Sequence, residues 1–94
     1  MRLILSPLAV QKVASIADHV RQHDSNAADR LEAALRDVFA MLGRHPRAGR
    51  LISPTVRRFV VPRYPYVVLY RADEAKGQLT IATVRQARQR PVSG

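Results

Sequence analysis

The chain has 94 residues, no cysteine and a net charge of +9, from 16 lysines and arginines against 7 aspartates and glutamates. This length predicts a single domain over residues 1–94 with little room for a deep cavity, which favours a surface or groove function over a buried small-molecule pocket. The sequence excludes disulfides and thiolate metal sites, and it lacks a signal peptide and an apolar run of ~20 residues, so we expect a cytoplasmic protein with no membrane contact, metal or cofactor.

The first half of the chain predicts a strand followed by two amphipathic helices. The apolar run at residues 2–5 predicts the strand, and the Ser-Pro pair after it is typical of a helix N-terminus. Apolar residues then recur at helical spacing from residue 7 to about residue 22, and again over residues 28–42 after a polar break. Gly43 is expected to end the second helix in the left-handed conformation. The two helices should form an antiparallel hairpin.

The second half of the chain predicts a basic loop and three strands. Residues 44–55 combine proline, glycine and arginine and predict the loop. The runs 59–61 and 66–69 are β-branched and aromatic, and the two prolines between them indicate a tight connection. A turn over residues 73–77 precedes a further strand at 79–85. The order β-α-α-β-β-β predicts an α+β fold, with the helical hairpin packed on a mainly antiparallel four-stranded sheet.

The excess positive charge lies entirely in the second half of the chain. Residues 1–43 contain five basic and five acidic side chains, whereas residues 44–94 contain eleven basic and two acidic ones. Fourteen of the 16 basic residues are arginine, whose fork of donors suits phosphate and carboxylate. A genome that favours arginine codons could explain the number of arginines. It would not explain why the excess positive charge lies in one half of the chain. This pattern therefore favours an anionic partner, either nucleic acid or an acidic protein segment.

Five motifs resemble the RelE/ParE superfamily of toxins from bacterial type II toxin–antitoxin modules. They are LSPLA at residues 5–9, HPRAGR at 45–50, RRFVV at 57–61, YPYVVLYR at 64–71 and VRQARQ at 84–89. The resemblance covers essentially the whole chain. It is closest to the ParE branch, particularly in the His-Pro-Arg-x-Gly loop and in the Tyr-Pro-Tyr segment that begins a strand. Many relatives have a histidine where this chain has Gln86.

The resemblance implies two activities with different chemistry. RelE-type members cut messenger RNA on the ribosome, which requires acid–base groups and cations that stabilise the developing phosphorane charge. Those members place an arginine after a tyrosine on the third strand, where this chain has Val67. His45, in a loop, and Glu74, in a turn, are unconvincing general bases, so no catalytic residue is assigned and an enzyme is disfavoured. ParE-type members poison DNA gyrase and need only a binding surface.

We therefore expect a ParE-type inhibitor of DNA gyrase. The alternative is a RelE-type ribosome-dependent endonuclease, and a second alternative is a non-toxic, basic nucleic-acid-binding module. The expected target-binding surface consists of Arg57, Arg58, Arg63, Arg85, Arg88 and Arg90.

The resemblance also implies a cognate antitoxin, whose C-terminal segment wraps the toxin and pairs acidic groups with arginines. Operator DNA is expected to bind only through the antitoxin, which normally carries the DNA-binding domain. The candidate contacts of the antitoxin are Arg57, Arg58, Tyr66 and Arg71.

Overall fold

Two helices pack on one face of a five-stranded sheet in the computed structural model, which describes residues 1–88. The elements are β1 Arg2–Leu5, α1 Pro7–Arg21, α2 Ser25–Arg44, β2 Arg50–Leu51, β3 Arg57–Val60, β4 Tyr66–Asp73 and β5 Gln78–Gln86. The strand order is β1-β5-β4-β3-β2, with β1 parallel to β5 and the other neighbours antiparallel. The predicted α+β class is confirmed. Within the described residues, neither helix combines the length and apolar character that a membrane crossing requires.

The strand count differs from the predicted four because of β2, which lies in the segment predicted as a loop. Arg50 pairs with Arg58, and Leu51 pairs with Arg57, so β2 forms the edge of the sheet next to β3. Both residues of β2 are exposed. A strand of this length has no periodicity that a sequence pattern could reveal.

The prediction that Gly43 caps α2 in the left-handed conformation is wrong. Gly43 lies inside the helix, which ends one residue later at Arg44, with His45 at the C-cap with a φ of −132°. Gly77 is the one glycine with positive φ within residues 1–88. The carbonyl oxygen of Gly43 instead accepts a hydrogen bond of 3.0 Å from the N-terminal ammonium of Met1. The helix end is therefore joined to the strand that begins the chain.

Both helices begin at a side-chain cap. The hydroxyl of Ser6 accepts from the backbone N–H of Ala9 at 3.0 Å, and the carboxylate of Asp24 accepts from Ala27 at the same distance. Such caps each stabilise a helix by about 1 kcal/mol. The Ser6 hydroxyl also donates to the carbonyl oxygen of Ala82 at 2.7 Å. The start of α1 is therefore fixed to the middle of β5.

Arg21, in the last turn of α1, joins the two helices. Its guanidinium donates a hydrogen bond of 3.0 Å to the carboxylate of Asp29 and a second one to Glu32. The hydrogen bond to Asp29 is the main cause of the raised pKa of Arg21. This link therefore joins the last turn of α1 to the first turns of α2.

The hydrophobic core lies between the helices and one face of the sheet. Apolar side chains recur at helical spacing on α2, and they meet the residues that alternate along the two central strands. The buried residues are Leu31, Leu35, Val38, Phe39 and Leu42 of α2, with Tyr66, Val68, Tyr70, Leu79, Ile81 and Val84 of the sheet.

Tyr70 attaches the loop between α2 and β2 to this core. Its side chain is fully buried, and its hydroxyl donates to the carbonyl oxygen of Pro46 and accepts from the N–H of Gly49, both at 2.8 Å. A Cβ atom on residue 49 would lie 2.7 Å from that hydroxyl, which explains why glycine is required there. The His-Pro-Arg-x-Gly motif is therefore a loop whose two ends are held by one tyrosine.

We expect Tyr70→Phe to lower the free energy of unfolding by about 1–3 kcal/mol, because it leaves two backbone groups of the loop without a partner. Urea denaturation followed by circular dichroism measures the change. Tyr64→Phe is the matched control, since Tyr64 is only half-buried and lies in the connection after β3; its effect should stay within about 0.5 kcal/mol. Equal losses in the two variants would contradict the role of the Tyr70 hydroxyl.

Candidate partner-binding surface

The face of the sheet opposite the helices has an apolar centre. Residues alternate between the two faces of a strand, so Val67 and Leu69 of β4 lie opposite the core residues Val68 and Tyr70. No helix packs on this side among the described residues. Even so, the exposed fractions of Val67 and Leu69 are only 1% and 9%. Other side chains of the same face must therefore cover them.

Strand pairing places arginines directly beside these two residues. Arg58 of β3 lies opposite Leu69, and Arg85 of β5 lies opposite Val67. Directly opposed residues have Cβ atoms about 4.5–5.5 Å apart, so the aliphatic stems of the arginines can cover the apolar centre while the guanidinium groups reach water. Arg50 of β2 continues the row beyond Arg58.

We call this surface the arginine face. It consists of Arg50, Arg58, Arg71 and Arg85 around Val67 and Leu69. Two of the predicted target-binding residues, Arg58 and Arg85, are brought together on it. Arg71, predicted as an antitoxin contact, shares it.

The other predicted arginines lie elsewhere. Arg57 is on the opposite face, beside Tyr70, and its Nη1 atom donates a hydrogen bond of 2.7 Å to the carbonyl oxygen of Gly49. Arg63 is exposed in the connection between β3 and β4, with a φ of 69°. Arg88 is exposed just after β5. Arg90 lies outside the described residues.

A first groove, of about 670 Å³, lies between residues 51–55 and the turn from β4 to β5. Its lining includes Arg57 and Arg71, both predicted as antitoxin contacts. Its charge is mixed, because Asp73 and Glu74 line it together with cations. Arg47 forms an exposed ion pair with Glu74 at 3.1 Å across this groove.

A second groove, of about 350 Å³, lies between α1 and the end of β5. It contains Tyr66, so three of the four predicted antitoxin contacts are divided between the two grooves, and the fourth, Arg58, lies on the arginine face. Among residues 1–88, no carboxylate side chain lines this second groove. Its lining residues are Lys12, Ser15, Ile16, His19, Tyr66, Val84, Arg85 and Gln86.

The sequence prediction missed Arg50 and Lys12. Arg50 lies in β2, whose sequence has no strand pattern. Only the pairing of β2 with β3 shows which face of the sheet Arg50 occupies. Lys12 lies on the polar side of α1, and only the packing of α1 beside β5 places it in the second groove. Neither residue gives a signal in the sequence that distinguishes it from a solvated surface charge.

The two grooves offer cations and hydroxyl groups that can bind an anion. Among residues 1–88, neither groove combines a histidine with a carboxylate. The first groove contains Glu74, which is paired with Arg47, and the second contains His19. His45 lies at the C-cap of α2 and lines neither groove. This chemistry suits recognition of an anionic partner better than proton transfer.

Comparison with known proteins finds matches over nearly all of the chain. The family model described as the ParE toxin of type II toxin–antitoxin systems, parDE, matches residues 3–91. Toxin RelE2 of Caulobacter vibrioides is 33% identical over 79 residues, which cover 84% of this chain and 86% of that protein. The chromosomal ParDE toxin–antitoxin system from P. aeruginosa has a similar chain, with a TM-score of 0.80 at 20% identity, covering 94% and 97% of the two chains. The isolated E. coli RelE toxin gives 0.62 at 18% identity, covering 97% and 88%.

We expect Arg57→Gln to lower the free energy of unfolding by about 1 kcal/mol, because it removes the hydrogen bond to the Gly49 carbonyl group. Arg85→Gln is the matched control. Arg85 is exposed, and glutamine keeps part of the aliphatic stem beside Val67, so the change should stay within about 0.5 kcal/mol. Thermal and urea denaturation of both variants provide the measurement. If Arg57→Gln changed the free energy of unfolding as little as Arg85→Gln, Arg57 would not stabilise the loop and would be available to a partner, as the sequence predicts.

Proposed function

Because the chain belongs to the ParE toxin family of type II toxin–antitoxin systems, we propose that it is a non-catalytic inhibitor of DNA gyrase that a cognate antitoxin keeps inactive. Membership rests on a family match over residues 3–91 and on a relative with 33% identity. The similar proteins carry both ParE and RelE names, so the choice of target is argued from the residues of this chain.

The observation that carries the proposal is the arginine face itself. Val67 occupies the position where, by the resemblance, RelE-type nucleases have an arginine. It is buried between Val60 and Arg85, its neighbours on the adjacent strands. An aliphatic side chain at this position forms part of the apolar centre of the arginine face. It has no charge and no proton to contribute to phosphoryl transfer. A cationic surface without a histidine–carboxylate pair supports binding as the mode of action.

The antitoxin is proposed as the second partner of the basic half. The structure similar to this chain belongs to a ParDE toxin–antitoxin system, which supports a cognate antitoxin here. An acidic, extended segment would complement a chain with a net charge of +9. The candidate contacts remain Arg57 and Arg71 in the first groove, Arg58 on the arginine face and Tyr66 in the second groove. Operator DNA is proposed to bind only through the antitoxin.

Induction of the chain without its antitoxin is expected to reduce DNA synthesis and raise the DNA-damage response within minutes, while translation continues. Pulse-labelling of DNA and protein synthesis in bacteria measures both, and a strain with a resistant gyrase should be spared. If translation stops first, the ribosome-dependent nuclease is the correct function. If neither synthesis changes and the purified chain binds DNA or RNA in a strongly salt-dependent way, the chain is a nucleic-acid-binding module.

The double substitution Arg85→Ala with Arg88→Ala is expected to abolish toxicity and to leave the chain folded, because both residues are exposed and the change removes only the part of the cover over Val67 that the Arg85 stem can provide. Colony formation after induction and thermal melting measure the two effects. The matched control is Arg30→Ala with Arg36→Ala, which removes the same charge from the exposed side of α2. If the control pair abolished toxicity equally, net charge would matter and the position of the arginines would not.

A further inference from the structure

The second half of β5 has an unpaired edge beside α1. β1 pairs with β5 only as far as Ile81, where the chain turns into α1 and the N–H of Ser6 donates to the Ile81 carbonyl group at 3.0 Å. At the other end, the N–H of Ala87 donates to the carbonyl oxygen of Pro65, on the β4 side. Alternation along the strand then turns the N–H groups of Val84 and Gln86 away from β4. Val84 is fully buried, so the accessible part of this edge is at Gln86. An extended segment could pair with the backbone there.

The second groove lies directly between this edge and α1, and its charge has one sign. Lys12 and Arg85 contribute two positive charges, and neither takes part in an ion pair within residues 1–88. The first groove differs, because Glu74 already occupies Arg47 there. Unpaired cations in a concave site favour the entry of an anionic group from a partner.

Tyr66 gives an independent indication that this end of α1 receives a polar ligand. The residue is about nine-tenths buried, with an exposed fraction of 9%, and its hydroxyl has no hydrogen-bond partner among the described residues. Among the described residues, every fully buried side-chain nitrogen or oxygen atom has a hydrogen-bond partner. The Tyr66 hydroxyl has none, so it is not fully buried and must be the part of the side chain that solvent reaches. Tyr66 lines the second groove and a smaller one towards α2. The hydroxyl of Tyr70, by contrast, has two partners.

We propose that the second groove is the subsite in which an extended segment of the antitoxin pairs with the edge of β5 and places a carboxylate among Lys12, Arg85 and the Tyr66 hydroxyl. The identity of the partner rests on the function proposed above. The carboxylate itself follows from the groove, which presents charge-assisted donors.

The lining favours a protein carboxylate over a nucleic-acid phosphate. Ile16 and Val84 form an apolar part of the groove next to the cations, and a segment with alternating apolar and acidic side chains satisfies both. A nucleic-acid backbone offers phosphates and polar sugars in succession and has no alternating aliphatic side chains for these residues. In addition, Asp18 lines the adjoining surface of α1 with His19, which disfavours a polyanion that continues along the helix.

The test uses the full chain labelled with ¹⁵N and two blocked peptides, Ac-Thr-Leu-Glu-Val-Thr-NH₂ and its Gln counterpart. The Glu peptide is expected to shift the amide resonances of residues 84–86 and of α1, and to bind about tenfold more tightly than the Gln peptide. Lys12→Gln and Tyr66→Phe should each weaken the Glu peptide about three- to tenfold and leave the Gln peptide unchanged. Lys76→Gln, which removes an equal charge from the first groove, is the matched control and should have no effect.

Three outcomes would overturn the proposal. Equal affinity for the Glu and Gln peptides would show that the second groove has no carboxylate subsite. If the Glu peptide instead shifts amide resonances of the first groove, and Lys76→Gln weakens its binding, the acidic partner binds in the first groove. A single-stranded 12-nucleotide DNA that displaces the peptide from residues 84–86 at 0.15 M salt would make the groove a phosphate site. Because peptide binding does not depend on toxicity, failure here leaves the gyrase proposal standing. Translation arrest with intact Glu-peptide binding would leave the subsite standing and remove the gyrase proposal.

Discussion

Strand β4 is apolar on both faces, and the rest of the structure depends on how each face is covered. All five residues from Tyr66 to Tyr70 are buried, although the helices pack on one side only. Burying a side chain such as Val67 or Leu69 contributes about 1.5–3 kcal/mol, so the second face also requires a cover. Arg58 and Arg85, on the two flanking strands, are placed so that their aliphatic stems can supply it. The arginine face therefore suits the hydrophobic strand beneath it, and strand pairing fixes the backbone positions from which its arginines extend.

The same strand also determines the shape of the first groove. Tyr70 reaches from the core to the loop after α2, and its two hydrogen bonds fix the backbone of Pro46 and Gly49. Arg57 adds a third hydrogen bond to the loop from the neighbouring strand. The fixed loop presents Arg47 to Glu74 across the groove. Arg57, which the sequence suggests is a surface contact, therefore also stabilises the loop. This role distinguishes it from Arg58, its neighbour in the chain, which lies on the other face of the sheet.

The sequence predicted the two helices and the strands β1, β3, β4 and β5 because each has an apolar run or a repeating apolar pattern over several residues. It failed where two residues or one carbonyl group decide the structure, as in β2 and at the end of α2. It also grouped six arginines as one surface, and the structure separates Arg57 and Arg63 from Arg58 and Arg85. The face that a strand residue occupies depends on the register, and a single bulge, such as the one between Leu69 and Tyr70 relative to β5, changes it. The role of Lys12 could not be predicted either, because the second groove forms where α1 packs beside β5 and these two elements are distant in the chain.

The position of Arg85 joins the two proposed binding events. Arg85 belongs to the arginine face through its pairing with Val67, and it also lines the second groove. Within residues 1–88, no strand pairs with the edge of β5 opposite β4 beyond Ile81, which leaves this groove next to Arg85. A carboxylate bound in the second groove would therefore engage a cation of the proposed target surface. A guanidinium drawn to that carboxylate would be less available to a second anion on the arginine face, so neutralisation by this route would need no conformational change in the chain. Among residues 1–88 no carboxylate lines the second groove, which is consistent with this arrangement, because a carboxylate of the chain itself would already engage Arg85 there.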